Sequence, residues 1–491
     1  MSSPVLRLAR QSGIYTLGNL AIKAAGLVLL LLYLDPDHLA QAEYGRLVLL
    51  ETAASLAVVV LGLGLAQGLL KYATDPDFAE DRDALAVTAL AATAVLAAAG
   101  GGLLVLGARP LAALLVDDPE RTELIYLLGL YIGLKVVGSV PYMTLRVEER
   151  AGLFVVALLV EFGALLGGVW YFLVVAEAGL RGVLLGFVLS AGLTAALLVG
   201  ALLVRARWRL RPRLVRRLLA FGAPLTFAGL VAVLLNTGDR FLLDGFRGAE
   251  DVAVYGLAQK FGGLVNMVFV QSFNMAFAVL GLKALGADSP EPTNLHRRAF
   301  RHYAVLAGWG VLGVSVLALD VTAVISPNPD YLRAEPLILP IALGFMAYGL
   351  YYIAVNVLYA AAQTGRIARN VAWAAVGNLV LNLVLIPLLG AMGAALATLG
   401  AYAGLAAGTT LQARRTVTVA FPWRALASVV LLVVGLWALA QPSRPWAQSA
   451  RVAFRLGLVG GYPLLVLAAG IYTREELRLS WVGARAWLRR P

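Results

Sequence analysis

Residues 183–204 read VLLGFVLSAGLTAALLVGALLV, an apolar run of 22 residues without a charged side chain. The next stretch, RARWRLRPR at 205–213, has arginine at five of its nine positions. An α-helix rises about 1.5 Å per residue, so a run of this length can cross the roughly 30 Å hydrocarbon core of a bilayer. Together the two stretches predict a membrane-spanning helix that ends in a basic loop.

Similar apolar runs recur along all 491 residues, without a soluble stretch between them. Hydrophobic residues make up 60% of the chain and charged residues 14%, whereas soluble domains carry about 25% charged residues. The sequence therefore predicts an all-α integral membrane protein of about fourteen transmembrane helices. The predicted runs are 12–34, 46–70, 84–107, 122–144, 152–175, 183–204, 218–243, 253–281, 302–325, 336–362, 370–389, 391–411, 425–440 and 452–472.

The positive charges predict the orientation of these helices. An even number of spans puts both termini on one side, and the loops on that side hold most of the 40 Lys and Arg residues. Because basic loops remain in the cytoplasm, we expect both termini to be cytoplasmic and the protein to lie in the inner (cytoplasmic) membrane. The first run is followed by no cleavage-site pattern, so we expect it to remain as the first helix.

Several function classes are disfavoured by composition and motifs. The chain has no cysteine, and its three histidines are scattered, which argues against disulfides and metal sites. The net charge of +12 comes from arginines in short loops between apolar runs, which disfavours nucleic-acid binding. No Gly-Lys dipeptide and no Gly-x-Ser-x-Gly motif occurs, so neither an ATP-binding P-loop nor a serine-hydrolase elbow is expected. We predict a protein without cofactors that is not an enzyme.

The alternative from the enzyme class is a polytopic membrane glycosyltransferase with a polyprenyl-linked donor. Such enzymes place acidic residues in the first outer loop, where Asp35-Pro-Asp37 occurs. An Asp before Pro is also ordinary turn chemistry. The sequence has no outer loop large enough to seat an acceptor, which favours a transporter.

Pairs of landmarks at one separation indicate an internal repeat. Tyr44-Gly45 and Tyr255-Gly256 lie 211 residues apart, and so do the Gly-x-x-Gly segments 179–182 and 390–393. Each repeat would contain six helices and run in parallel orientation, an arrangement that builds transporters with a midplane site between two lobes. We therefore predict three parts: an N-lobe at 1–216, a C-lobe at 217–415, and an additional helix pair with a basic tail at 416–491.

Three segments resemble a known superfamily. GNLVLNLVLIPLLGAMGAALAT at 377–398 resembles a hallmark of the multidrug/oligosaccharidyl-lipid/polysaccharide (MOP) exporters, which is shared by drug exporters and lipid II flippases. DRFLL at 239–243, followed by AVYGLAQK at 253–260, resembles the polysaccharide-transporter branch, the Wzx-type flippases. The resemblance spans residues 8–411 and implies a MATE-like fold of two pseudo-symmetric six-helix bundles around a central cavity.

The resemblance also implies an activity, with alternatives inside the same superfamily. Wzx-type proteins move polyprenyl-pyrophosphate-linked oligosaccharide units from the cytoplasmic to the outer leaflet, for cell-surface polysaccharide synthesis. The expected partners are this glycolipid, the bilayer, and the polymerase and glycosyltransferases of such a pathway. A lipid II-type carrier flippase and a drug/cation antiporter remain the alternatives, because the 377–398 segment is common to all of them.

Charged residues inside the predicted spans are the candidates for transport, since a charge in mid-bilayer costs a few kcal/mol unless it faces a cavity or a partner. Cations there would replace the lost hydration of a pyrophosphate. The alternatives are structural: Lys135 could pair with Glu161, and Arg240 could anchor its helix at the interface. We predict a substrate-binding set of Lys23, Lys135, Asn236, Arg240 and Lys260, and two acids, Glu161 and Asp239, for ion coupling.

Overall fold

The computed structural model describes residues 26, 28–275, 277, 281, 291–416 and 421–472. Every regular element within those ranges is helical. This follows from the solvent, because a chain in hydrocarbon must satisfy its backbone hydrogen bonds internally, and a helix does so within one segment. The predicted all-α membrane class is confirmed.

The described chain divides into two compact units. The first extends to Gly256 and includes Ile325–Asn328, and the second comprises Leu257–Val324 with Pro329–Pro491. The first unit therefore extends beyond the predicted N-lobe boundary at residue 216. Its helices are α1 (Gln41–Gly62), α2 (Leu65–Thr74), α3 (Arg82–Leu106), α4 (Ala108–Val116), α5 (Thr122–Val147), α6 (Ala151–Val169), α7 (Gly179–Arg205), α8 (Pro212–Thr237) and α9 (Asp239–Arg247).

The next helix, α10 (Ala249–Val265), begins in the first unit and ends in the second. The remaining helices are α11 (Glu291–Ile325), α12 (Glu335–Ala360), α13 (Thr364–Leu389), α14 (Ala391–Thr416), α15 (Trp423–Ala440) and α16 (Gln448–Ala468).

Thirteen of the described segments are long and apolar enough to cross a membrane. They correspond in order to the second through fourteenth predicted runs, whereas most of the first run, 12–34, lies outside the described residues. Most of these helices carry large apolar side chains on exposed surface, such as Leu106 and Val204, as expected for contact with lipid. The protein is a multi-pass membrane protein.

Two predicted helices are interrupted. The run 46–70 is divided between α1 and α2 at Leu63 and Gly64, which both have left-handed backbone angles, with φ of 42° and 62°. A Cβ on Gly222 of α8 would lie 2.4 Å from the carbonyl oxygen of Gly64, so the two backbones touch at this break. The run 218–243 is divided between α8 and α9 at Gly238, where a Cβ would lie 2.6 Å from the carbonyl oxygen of Leu234.

The landmarks of the predicted repeat have similar local geometry. Gly179 and Gly390 each precede or begin a helix with a positive φ, of 54° and 59°. The glycines three residues later pack against backbone: a Cβ on Gly182 or Gly393 would lie 2.6 Å or 2.2 Å from a carbonyl oxygen of the preceding helical segment. The left-handed backbone favours glycine at 179 and 390, and the close backbone contact requires it at 182 and 393.

The additional helix pair predicted at the C-terminal end packs on α11 within the second unit. The Tyr462 hydroxyl of α16 donates to the carbonyl of Val305, and the Trp309 indole of α11 donates to the carbonyl of Val459, at 3.1 Å and 2.9 Å. Within the second unit, α16 is therefore anchored to α11 by specific hydrogen bonds.

Candidate functional site

Charged side chains meet inside the first unit, on helices α1, α5, α6 and α9. The Lys135 ammonium of α5 donates to one oxygen of the Glu161 carboxylate of α6 at 2.6 Å. The Tyr142 hydroxyl donates to the other oxygen at 2.7 Å. Lys135 and Tyr142 are seven residues apart, or about two helical turns, so both project from the same face of α5 towards α6. The pair of Lys135 with Glu161, given above as the structural alternative for Lys135, is present.

Arg240 lies in the first turn of α9 and points towards α1. One terminal guanidinium nitrogen donates to the Thr52 hydroxyl at 2.9 Å, and that hydroxyl donates to the carbonyl of Val48 at 2.7 Å. The Nε of Arg240 is buried and has no hydrogen-bond partner in the described part of the chain. Arg240 is therefore held inside the protein by Thr52, and its buried Nε donor is unsatisfied within the described chain.

Asp239 is almost fully buried, with 2% of its surface exposed, and it accepts a hydrogen bond from the Tyr255 hydroxyl. It also begins α9, where a carboxylate is favoured by the partial positive charge of the helix N-terminus. Asp239 and Tyr255 belong to the two segments that carry the resemblance to the polysaccharide transporters, and the structure joins these segments through this bond.

Glu51 of α1 was missed by the sequence prediction. It lies within the predicted span 46–70, so the rule that selected the other charged residues should have selected it as well. Tyr33, Tyr44 and Tyr131 all interact electrostatically with Glu51, and Tyr131 also interacts with Lys135 and Glu161. Glu51 therefore belongs to the same charged group as the predicted residues.

Glu51 also corrects the predicted balance of charge. The sequence prediction counted four cations against two acids inside the spans. Adding Glu51 to the predicted set gives four cations and three acids. The members of this set that lie in the described part of the first unit are two cations and three acids: Lys135, Arg240, Glu51, Glu161 and Asp239.

The other predicted residues lie elsewhere. The Asn236 side chain donates to the carbonyl of Ala232 on its own helix at 2.7 Å. Lys260 is half-buried on the part of α10 that belongs to the second unit, and Lys23 lies outside the described residues.

Two buried polar groups lie in the second unit. On α13, the amide of Asn382 donates to the side-chain oxygen of Asn378 at 3.0 Å, so the two share a face of the helix. Near the C-terminal end of α11, the Asp320 carboxylate forms ion pairs with Arg451 and Arg455. Within the described ranges, no three His, Asp or Glu side chains are arranged to hold a metal ion.

Comparison with known proteins places this arrangement in a family. The model of a family described as polysaccharide biosynthesis protein matches residues 39–324, more than half of the chain. This chain belongs to that family. A search of curated proteins gives no match.

Solved structures show the same fold. A lipid II flippase MurJ in an inward closed conformation has a TM-score of 0.76 at 12% identity, covering 93% of this chain and 99% of that chain. An inward-facing MATE family transporter of the MOP superfamily has a TM-score of 0.68 at 15% identity, covering 82% and 97%. A MOP superfamily transporter from Pyrococcus furiosus has a TM-score of 0.55 at 16% identity, covering 84% and 93%.

Together, the family and the fold confirm the predicted resemblance to the polysaccharide-transporter branch of the MOP superfamily. The family is described as polysaccharide biosynthesis protein, and the fold is shared with a lipid II flippase and a MATE family transporter.

Proposed function

We propose that this protein is a flippase that moves polyprenyl-pyrophosphate-linked oligosaccharide units from the cytoplasmic to the outer leaflet of the inner membrane by alternating access. Family membership supports the pathway, and the fold supports a transport mechanism rather than catalysis. In this proposal both termini are cytoplasmic. A polysaccharide polymerase on the outer side then uses the transported glycolipid.

Arg240 is the observation that carries the proposal. Its buried Nε donor is left open within the described chain, while Thr52 fixes the other side of the guanidinium. A guanidinium held in this way offers a directed, charge-assisted bond to a phosphate oxygen. Lys260 and Lys23 would add to the attraction of the pyrophosphate, and Asn236 would offer an amide to the sugar or phosphate. Lys135 would add less, because its charge is compensated by Glu161.

The experiment is complementation of a bacterial strain that lacks its own flippase for a defined surface polysaccharide. We expect the wild-type chain to restore surface polysaccharide, and Arg240→Ala to abolish it at equal membrane level. Arg240→Lys should restore part of the export because it keeps the charge but loses the planar fork. The matched control is Arg109→Ala, an exposed arginine paired with Glu120 on the surface. Full export with Arg240→Ala would contradict the proposal.

A second candidate is a lipid II-type flippase. It is favoured by the extent of the MurJ match, which covers 93% of this chain against 82% for the MATE transporter. Complementation of a strain depleted of its lipid II flippase distinguishes the two substrates. Growth rescue without polysaccharide export would favour lipid II.

We also propose that an acid of the site couples transport to a proton or sodium gradient. Asp239 is the stronger candidate, since it is almost fully buried and lies in a segment that resembles the polysaccharide transporters, whereas Glu161 is neutralised by Lys135. In vesicles, Asp239→Asn should retain glycolipid binding and lose the response to an imposed gradient. Glu161→Gln should retain that response. Equal transport by wild-type protein with and without a gradient would contradict coupling by either residue.

A further inference from the structure

Four tyrosines form one cluster on α12 and α14 of the second unit. The ring of Tyr348 lies 4.9 Å from Tyr352 and 4.8 Å from Tyr402, and the rings of Tyr351 and Tyr352 are 5.5 Å apart. The hydroxyls of Tyr348 and Tyr352 are hydrogen-bonded to each other at 2.9 Å. The site described above uses none of these residues.

The depth of the cluster is unusual for tyrosine in a membrane protein. Tyrosine normally collects at the two membrane interfaces, where its hydroxyl reaches water. Tyr348 lies at the middle of α12, which runs from Glu335 to Ala360, and Tyr402 lies at the middle of α14, which runs from Ala391 to Thr416. An interfacial belt therefore does not explain these tyrosines.

Packing explains only half of the cluster. Tyr351 and Tyr402 are buried, with 6% and 1% of their surfaces exposed, and they fill the contact between α12 and α14. Tyr348 and Tyr352 remain half-buried, and they lie one helical turn apart on the same face of α12. The rings of Tyr348 and Tyr352 therefore pack against the buried tyrosines on one side and are partly exposed on the other.

Lipid contact does not account for the open side either. The membrane-crossing part of α12 is 78% buried, the largest share among the thirteen spans, whereas that of α6 is 11% buried. In addition, the Tyr352 hydroxyl donates to the Tyr348 hydroxyl, which leaves the O–H hydrogen of Tyr348 without an acceptor among the described residues. Exposing such a donor to hydrocarbon would cost free energy, whereas a polar ligand would satisfy it.

We infer that Tyr348 and Tyr352 form a stacking platform for a sugar ring of the transported glycolipid, an inference that rests on the proposed function. The faces of a pyranose ring carry C–H groups, which suit the electron-rich face of an aromatic ring. The spare phenol hydrogen would bond to a sugar hydroxyl. After Glu335, α12 has no charged residue through Ala360, so this surface suits an uncharged sugar and not the pyrophosphate.

The test compares glycolipids with and without a sugar on purified full-length protein in nanodiscs. The probes are undecaprenyl pyrophosphate carrying one N-acetylhexosamine or one hexose, and the bare carrier. We expect Tyr348→Leu and Tyr352→Leu each to weaken binding of the sugar-bearing probes by about threefold to tenfold, the value of one aromatic contact. Affinity for the bare carrier should not change.

Two variants serve as controls. Tyr352→Phe keeps the ring and the fold, so it should lose less sugar-dependent affinity than Tyr352→Leu. Tyr359→Leu removes an exposed tyrosine near the end of the same helix and should bind every probe as the wild type does.

Three outcomes would overturn the inference, and they are distinguishable. If the Leu variants keep the full preference for sugar-bearing probes, the platform is wrong and the proposed function stands. If wild-type protein binds neither the sugar-bearing probes nor the bare carrier, the proposed function is wrong, and the platform is wrong as well. If the Leu variants lose affinity for tetraphenylphosphonium while sugar-bearing probes are unaffected, the cluster is a site for organic cations.

Discussion

At the scale of single residues, charged side chains in the first unit are hydrogen-bonded to charged or polar side chains of neighbouring helices. Glu161 accepts from Lys135 and Tyr142, and Arg240 donates to Thr52. The sequence predicted most of these residues because a charge within an apolar run is easy to recognise. It could not predict Thr52 or Tyr142 as their partners, since uncharged polar residues are common in spans and only the packing of helices selects among them.

Lys135 and Glu161 should depend on each other for stability. Lys135→Met leaves the Glu161 carboxylate without its counter-ion, and we expect a loss of about 3 kcal/mol, the lower end for a broken buried pair because both groups are partly exposed. The double variant with Glu161→Gln should recover most of this loss. A double-mutant cycle of thermal unfolding measures the coupling. Additive losses would show that the pair is not a stabilising unit.

Asp244 of α9 should make stability depend on pH. Burial and the nearby Asp117 carboxylate raise the pKa of Asp244, and Arg46 opposes the shift. A raised carboxyl pKa means that the folded state disfavours the ionised form, so stability falls as pH rises from the ordinary value near 4 through the raised one.

The corresponding variant is Asp244→Asn, which removes the ionisation. We expect it to raise the melting temperature at pH 7 by a small amount, worth less than about 1 kcal/mol for a half-buried group, and to match the wild type below about pH 4. Asp37→Asn, in an exposed turn, is the control and should have no effect. A lower melting temperature for Asp244→Asn at pH 7 would contradict the sign.

At the scale of elements, the helices followed from the sequence and their interruptions did not. The breaks at Leu63–Gly64 and at Gly238 fall inside apolar runs that hydropathy treats as continuous. The first break depends on Gly222 of another helix, so no local pattern could reveal it. The contact that fastens the additional helix pair was also not predicted, although two of its charged residues, Asp320 and Arg455, lie within the predicted runs 302–325 and 452–472.

That fastening is an ion cluster between α11 and α16. Asp320 accepts from Arg451 at 2.6 Å and from Arg455 at 2.9 Å, and Arg455 is fully buried. Arg455 also donates to the carbonyl of Val316 and to the Ser443 hydroxyl, each at 3.1 Å. One carboxylate therefore compensates two arginines in a largely water-free place.

Asp320→Asn should release this cluster. Removing the carboxylate leaves two buried guanidinium groups uncompensated, so we expect a loss of about 3–5 kcal/mol in thermal unfolding. Glu120→Gln is a matched control, because Glu120 pairs with Arg109 at the same 2.6 Å but on exposed surface. Such a pair contributes at most about 1 kcal/mol. Equal losses for the two variants would contradict the account.

At the scale of the whole molecule, the proposed orientation makes a prediction about accessibility. Short tags in the basic loop at 206–211 and at both termini should be protected in intact cells. Tags near Asp37, Ala249 and Asp330 should be reached from outside. The reason is that basic loops are retained in the cytoplasm. Labelling of the 206–211 loop from outside would reverse the proposed orientation.

The central claim is that the chain moves a lipid-linked glycan across a bilayer. The most direct measurement is flipping of fluorescent undecaprenyl-pyrophosphate-linked sugar in proteoliposomes, followed by quenching of the outer leaflet. We predict that quenching reaches both leaflets with wild-type protein, and that it stops at the outer leaflet with Arg240→Ala of equal stability. Empty liposomes should behave as that variant does. Two results would contradict the account: quenching of the outer leaflet alone with folded, reconstituted wild-type protein, or unchanged flipping with Arg240→Ala.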